Sequence, residues 1–197
     1  MAVLPVCYED ATDELKSIYA DIKTSFSVDD VPNWALFLGS QTQILAMLVY
    51  FTKKVYAQES IPQLLRELII FCVSVSNEAD YCRQYHAHSA LSLSQGMTYQ
   101  DLENMLQGNS SAYIPERYVK IIEATKAYIV SNCPSKSKSE DLRSSCENDD
   151  EYKELVNVIA LATLFNTYTK AFEIPIDESA NILDFDKKID SRPFKRL

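Results

Sequence analysis

The chain has 197 residues and a hydrophobic content of 47%, enough to bury one sizeable core, so we expect a single domain. Its formal net charge of −9, with no cluster of Lys or Arg, argues against nucleic acid or an anionic membrane as a partner, because both bind basic surfaces. With only 3 glycines and 7 prolines, turn residues are too sparse for an all-β protein, and the sequence predicts an all-α fold.

The N-terminal segment "MAVLPVCYEDATDE" has neither a basic region nor an apolar stretch, so no export signal is expected. The most apolar windows, residues 44–51 and 68–75, are shorter than a membrane span. These features favour a cytoplasmic protein. In that reducing compartment the cysteines, which show neither zinc-ligand spacing nor a CxxC pair, are expected to be free thiols; they are Cys7, Cys72, Cys82, Cys133 and Cys146.

Apolar residues recur at intervals of three and four along most of the chain, which predicts six or seven helices. The first covers residues 15–22. Ser40 with Gln43, and Ser60 with Gln63, have the spacing of capping boxes and predict the starts of the next two helices.

The helix that carries Glu67 is apolar on nearly every side through residue 75, which suits a central position. The segment "SNEAD" then turns the chain, and a new helix is expected to begin near Ala79. The two helices should form a central antiparallel hairpin. Cys82 would lie in the first turn of the second helix, with His86 on the same face.

Beyond the hairpin, Thr98 with Asp101 predicts the cap of a short helix, Pro115 precedes another helix, and a last one is expected over residues 150–171. The serine-rich segment 131–150 is predicted to be a solvated loop. We expect loose packing for the tail after residue 184.

Glu67, Cys82 and His86 together have the chemistry of a thiol site. The positive end of a helix lowers the pKa of a cysteine, an imidazole can accept its proton, and a glutamate can orient that imidazole. Spacing alone favours core packing for the same residues, because cysteines are among the most buried residues and pairs at helical spacing arise by chance.

The segment "LLRELIIFCVSVSNEADYCRQYHAHSAL" resembles the core of the carboxymuconolactone decarboxylase and alkylhydroperoxidase D-like (AhpD-like) superfamily. The signature of that family is Glu, eleven residues, Cys, two residues, Cys, three residues, His, and Glu67, Cys82 and His86 match three of its four positions. The flanking segments "VPNWALFLGSQTQILAML" and "LATLFNTYTKAFEIPIDE" also resemble the family. The resemblance implies an AhpD-like helical bundle over residues 1–183, with the core motif at 61–95 and a C-terminal tail at 184–197.

The chain departs from the family pattern at Ala79, where the first cysteine of the signature would stand, so the CxxC disulfide cannot form. Tyr81 stands where alkylhydroperoxidases have a histidine of the proton relay. The resemblance then implies a single-cysteine site with Cys82 as nucleophile, His86 as base and Glu67 as the residue that holds the imidazole. Tyr81 and Cys72 are possible supporting residues, Cys72 only if the hairpin brings it within disulfide reach of Cys82.

The activity implied by the resemblance is that of a thiol-dependent antioxidant peroxidase that reduces a hydroperoxide and is itself reduced by an external thiol. Two alternatives remain: a carboxymuconolactone decarboxylase-type lyase, in which Glu67 and His86 act as acid and base on a small carboxylate, and a non-enzymatic oligomeric interaction module. None of these needs a cofactor or a metal. The resemblance also implies a homo-oligomer, a trimer or a hexamer.

Overall fold

A computed structural model of the protein describes residues 3–130 and 135–177, and these fold into nine α-helices and one 3₁₀ turn, with no strand among them. The all-α prediction is confirmed, but six or seven helices were too few for this part of the chain. The helices are α1 (Asp13–Phe26), α2 (Asn33–Leu38), α3 (Thr42–Tyr56), α4 (Gln63–Ser76), α5 (Asp80–Leu93), α6 (Tyr99–Leu106), α7 (Glu116–Ile129), α8 (Lys136–Ser144) and α9 (Asp149–Ala171), and the 3₁₀ turn Gly39–Gln41 joins α2 to α3.

Helix α4 lies at the centre of the fold, as its apolar sequence predicts. Every residue from 65 to 74 is buried, and the helix packs against α5, α7 and α9. The one positive charge in this run, Arg66, is compensated because its guanidinium donates to the backbone oxygens of Gln58 at 2.8 Å and Ile61 at 3.2 Å. Two backbone oxygens thereby partner the terminal nitrogens of this guanidinium, while most of the helix packs through apolar side chains.

The hairpin between α4 and α5 is tight. Glu78 adopts a left-handed conformation with a φ of 52°, and Ala79 is the N-cap of α5. Cys82 is therefore in the first turn of α5, where the sequence placed it.

Two clusters of buried side chains make up the core. One surrounds α4 and includes Cys72 together with residues of α6, α7 and α9. The other is built from α1, α2 and α3, and it takes in Tyr81 and Cys82 from the start of α5. Phe165 of α9 packs against both clusters. The start of α5 is thus embedded between the two halves of the core.

The capping predictions succeeded at one helix and failed at two. The carboxylate of Asp101 accepts the backbone N–H of Thr98 at 2.8 Å, which confirms the cap of α6. The predicted boxes at Ser40 and Ser60 are absent. The 3₁₀ turn displaces the start of α3 to Thr42, and Pro62 is the N-cap of α4.

The segment predicted as a solvated loop, 131–150, contains α8. The hydroxyl of Ser135 accepts the backbone N–H of Lys138 at 3.4 Å, and the single large apolar side chain of the helix, Leu142, is fully buried. One buried leucine is enough to anchor a short helix whose other faces are polar. Cys133 and the tail from residue 178 onward, including the predicted boundary at 183, lie outside the described residues.

Within the described residues, one stretch, Asn33–Tyr56, is long and apolar enough to cross a membrane by length and composition, with a mean hydropathy of 1.3. It comprises α2, the 3₁₀ turn and α3. Core helices of soluble proteins pass the same test, and Leu45, Leu48 and Val49 of α3 are buried in the core.

The central position of α4 makes a direct prediction about stability. Phe71 is fully buried and its ring meets that of Tyr99 edge to face at 6.4 Å between centroids. Phe71→Ala should lower the free energy of unfolding by about 3–5 kcal/mol, because it removes a ring from a closed core. Denaturant titration followed by circular dichroism measures this, with Val130→Ala, 70% exposed at the end of α7, as the control expected to change little.

Candidate active site

Glu67 and His86 form a hydrogen-bonded pair between α4 and α5. His86 Nδ1 lies 2.7 Å from Glu67 Oε2, and the two side chains are 14% and 4% exposed. An ionised carboxylate can only accept, so Nδ1 carries the proton and Nε2 is left as the basic nitrogen of the ring. The predicted contact between the glutamate and the imidazole is therefore present, in a site with little water.

Tyr56 of α3 completes the surroundings of this carboxylate. Its hydroxyl donates to Glu67 Oε1 at 3.2 Å, and the guanidinium of Arg66 lies 5.1 Å from the centre of its ring. Burial raises the pKa of Tyr56, and the charge of Glu67 raises it further, so the phenol stays a protonated donor. Nothing in the sequence indicated Tyr56, because its contact with Glu67 depends on where the fold places the end of α3.

Cys82 occupies the third position of α5 and is only 4% exposed. Its Sγ lies 3.7 Å from Thr169 Oγ1 of α9, within hydrogen-bonding distance for sulfur. Burial raises the pKa of the thiol to about 12, although the hydrogen bond to Thr169 acts in the opposite direction. The predicted lowering of this pKa by the helix terminus is wrong, because the loss of water around the sulfur outweighs the helix dipole.

A partly open cavity of about 800 Å³ connects these groups. Glu67, Cys82 and His86 all line it, so the structure brings the three predicted site residues to one space. Its walls come from α1, α2, α3, α4, α5 and α9. The other lining residues on the helices are Ser25, Phe26, Trp34, Thr52, Lys53, Tyr56, Gln63, Ile70, Tyr81, Tyr85, His88, Ser89, Ser92, Leu93, Leu161, Ala162 and Phe165, and between the helices Ser27, Val28, Pro32 and Ala57.

Tyr81 lines the cavity, but its hydroxyl is committed elsewhere. It donates to the carboxylate of Asp177, whose other oxygen accepts the backbone N–H of Asn33 at 2.6 Å. Burial, and then the charge of Asp177, raise the pKa of Tyr81. This pair fastens the segment after α9 to α2 and α5, which gives Tyr81 a positioning role beside Cys82.

Cys72 does not reach the site. It is fully buried in the cluster around α4, it does not line the cavity, and burial raises the pKa of its thiol to about 12. A resolving role for Cys72 is therefore not supported. His88 is exposed and lines the same cavity as His86.

The cavity has little free charge. Among its described lining residues Lys53 is the single lysine, no arginine is present, and Lys53 Nζ is paired with Asp21 at 2.8 Å. Glu67 and His86 add a hydrogen-bonded pair to the cavity. Within the described ranges, no group of three or more His, Cys, Asp or Glu side chains is placed to hold a metal ion.

Residues 42–116, which include α4, α5 and the three site residues, match the carboxymuconolactone decarboxylase family. The all-helical fold around this segment is similar to that of solved AhpD-type proteins. No curated protein sequence matches the chain.

Solved structures share this fold over nearly the whole chain. The debrominase Bmp8, as a cysteine-to-alanine variant in complex with 2,3,4-tribromopyrrole, is 18% identical, covers 94% of this chain and 97% of its own, and superposes with a TM-score of 0.74. Its apo form gives 0.73 at 18% identity, with coverages of 92% and 96%. An uncharacterized peroxidase-related protein from Ralstonia eutropha JMP134, described as an alkylhydroperoxidase AhpD core, gives 0.72 at 16% identity, with coverages of 91% and 94%.

The raised pKa of Cys82 predicts how this thiol responds to pH in the absence of substrate. The rate of its alkylation by iodoacetamide should rise by about tenfold per pH unit from about pH 7 to about pH 10. Below the pKa, the fraction of reactive thiolate rises by the same factor. Peptide mass spectrometry after short labelling pulses resolves each thiol, and the exposed Cys7 serves as the internal reference. A plateau near neutral pH would show that the thiolate is stabilised despite its burial.

Proposed function

We propose that this protein is a thiol-dependent peroxidase that reduces an organic hydroperoxide at Cys82, with His86 as base and Glu67 as the residue that orients it. The observation that supports this most is the 2.7 Å pair of Glu67 and His86 in the same cavity as the thiol. Because Glu67 holds Nδ1, the basic Nε2 is the nitrogen available to the thiol and the substrate.

In the proposed first step His86 Nε2 accepts the proton of the Cys82 thiol, and the thiolate sulfur attacks the terminal oxygen of the hydroperoxide. The S–O bond forms as the O–O bond breaks, and the leaving alkoxide takes the proton from His86 to depart as an alcohol. Cys82 becomes a sulfenic acid while the peroxide is reduced by two electrons. The buried thiol is neutral at rest, so the proton transfer belongs to the substrate complex.

The proposed second half-reaction needs an external thiol. Ala79 supplies no sulfur next to Cys82, and Cys72 lies in the other core cluster. A first thiol condenses with the sulfenic acid, which gives a mixed disulfide and water, and a second thiol releases Cys82 and leaves as a disulfide. The reductant would reach the sulfur through the cavity.

The charges of the cavity favour this activity over a lyase that acts on a small carboxylate. A carboxylate buried in a largely apolar space needs a cation or several donors to replace its water. Lys53, the lysine among the lining residues, is already paired with Asp21. An uncharged substrate has no such requirement.

A second candidate is reductive removal of a halogen from a small aromatic compound. It is favoured by the debrominase structure, which shares the fold over nearly the full length of both chains and was solved with 2,3,4-tribromopyrrole. In such a reaction an aryl halide and two thiols give the dehalogenated arene, a disulfide and the hydrogen halide. Cys82 would be the first of the two thiols.

The proposal includes a cytoplasmic location and a homo-oligomer, with no nucleic-acid or membrane partner. The aromatic side chains of Tyr85 and Phe165 are half-buried within one subunit. Exposed apolar groups instead lie on α3, at Met47 (56%) and Tyr50 (63%), and at the end of α5, at Leu93 (41%). These are the side chains that a contact between subunits would cover.

The proposed roles predict a graded loss of peroxidase activity. Cys82→Ser should abolish hydroperoxide consumption, and His86→Asn should lower kcat/KM by about 100-fold or more, since it removes the base. Consumption of cumene hydroperoxide in the presence of excess dithiothreitol is the measurement, and Cys7→Ser, at an exposed thiol outside the cavity, is the matched control. Wild-type turnover of an aryl bromide without turnover of hydroperoxides would select the second candidate.

The alanine at position 79 offers a gain-of-function test. Ala79→Cys restores the spacing of the family signature beside Cys82, at the N-cap of α5. Oxidation by one equivalent of hydroperoxide should then give an intramolecular disulfide, seen as a loss of two mass units and of two titratable thiols. The wild type should instead give a sulfenic acid that dimedone traps. Because residue 79 is fully buried, the variant should first be checked for native helicity.

A further inference from the structure

We propose that the substrate of this cavity carries a planar, uncharged aromatic ring. This inference names the substrate class for the proposed activity and rests on it for the reacting group, whereas the binding of the ring follows from the walls of the cavity alone.

Aromatic side chains from five different helices converge on the cavity. They are Phe26 of α1, Trp34 of α2, Tyr56 of α3, Tyr81 and Tyr85 of α5, and Phe165 of α9. The rings of Trp34 and Phe165 meet edge to face, with 5.0 Å between centroids and an interplanar angle of 84°. Because two packed rings hold each other in place, this wall presents fixed faces and edges to a bound molecule.

The aromatic wall is adjacent to the thiol. Trp34 and Cys82 belong to the same packed cluster, and Phe165 packs against it. All three residues line the cavity, so a ring bound against Trp34 and Phe165 occupies the same space as the sulfur that would react. Offset or edge-to-face contact with several wall rings favours an aromatic ligand over an aliphatic one of equal size.

The size of the cavity and the charges of its lining restrict the class of ligand further. A cavity of about 800 Å³ is in the range of sites for drug-sized molecules and far exceeds the needs of hydrogen peroxide. Lys53 is paired with Asp21, and Nδ1 of His86 is held by Glu67, so no unpaired lysine or arginine is present among the described lining residues. An anionic ring would lose its hydration without gaining a partner.

The chain contains a single tryptophan, and Trp34 lines the cavity, so its fluorescence reports occupancy without any turnover. The probes are cumyl alcohol, its saturated analogue 2-cyclohexyl-2-propanol, and cumyl alcohol with a para carboxylate. Titration of the reduced protein should show a change in Trp34 emission with cumyl alcohol at a Kd about 3- to 10-fold lower than that of the cyclohexyl analogue. The carboxylate should bind most weakly of the three.

Two phenylalanines on or next to α9 provide a matched pair of variants. Phe165→Leu removes a wall ring and should reduce the preference for the aromatic probe to less than about twofold. Phe172→Leu changes another half-buried ring, which packs on Tyr168 outside the cavity, and should leave the preference as in the wild type. Equal affinities for the aromatic and cyclohexyl alcohols in the wild type, or tighter binding of the carboxylate, would overturn the inference.

The same experiments distinguish a failure of the proposed peroxidase activity from a failure of the aromatic substrate class. If cumyl alcohol binds with the expected preference but cumene hydroperoxide is not consumed, the aromatic ligand class stands and the peroxidase is excluded. If hydroperoxides are consumed with equal kcat/KM for cumyl and tert-butyl substrates and the alcohols show no preference, the peroxidase stands and the aromatic substrate class is wrong.

Discussion

Glu67 carries a carboxylate into the interior of a helix that is otherwise packed by apolar side chains, and a buried charge is costly unless it is paired. Two hydrogen bonds meet that cost, one from Tyr56 on α3 and one from His86 on α5. Each requires its helix to sit at a fixed height and rotation beside α4. The positions of the Tyr56 hydroxyl and of the His86 imidazole thus depend on one carboxylate, and the loss of either donor would leave it less well compensated.

The His86 imidazole is held by a hydrogen bond, whereas the state of the Cys82 thiol depends on its burial. The first turn of α5 offers Cys82 the positive end of a helix, yet the surrounding side chains remove the water that would support a thiolate, and burial prevails. Such a buried, protonated thiol is expected to react slowly with general oxidants and electrophiles until a ligand enters the cavity. The walls of the cavity then decide which molecules are brought to the sulfur, so that selectivity comes from binding as well as from the chemistry of the thiol.

The sequence predicted the fold well where the signal is local and strong. The uninterrupted apolar run of α4, the turn before Asp80 and the Thr98–Asp101 cap were all read correctly, because each depends on a few neighbouring residues. Two capping boxes failed because the same residue types occur by chance one or two residues before the observed N-caps. The roles of Tyr56, Thr169 and Asp177 could not be predicted, since they arise where α3, α9 and the segment after α9 meet α4 and α5. The direction of the pKa shift of Cys82 was wrong for the same reason: helix position can be read from sequence, but burial by distant segments cannot.

Helix α4 has no solvent-facing side along the ten residues from 65 to 74, and this has a consequence for how the sequence can change over time. Most helices of a small protein have an outer face on which substitutions accumulate without effect. Here the helix that holds Glu67 lacks one, so its sequence can drift only through exchanges that preserve shape and volume. Variation in relatives, and diversity in a mutant library, should therefore gather on α6, α7 and α8, where many side chains face solvent. New substrate preferences would arise from substitutions in the cavity walls on α1, α2 and α9, while the sequence of α4 stays nearly constant.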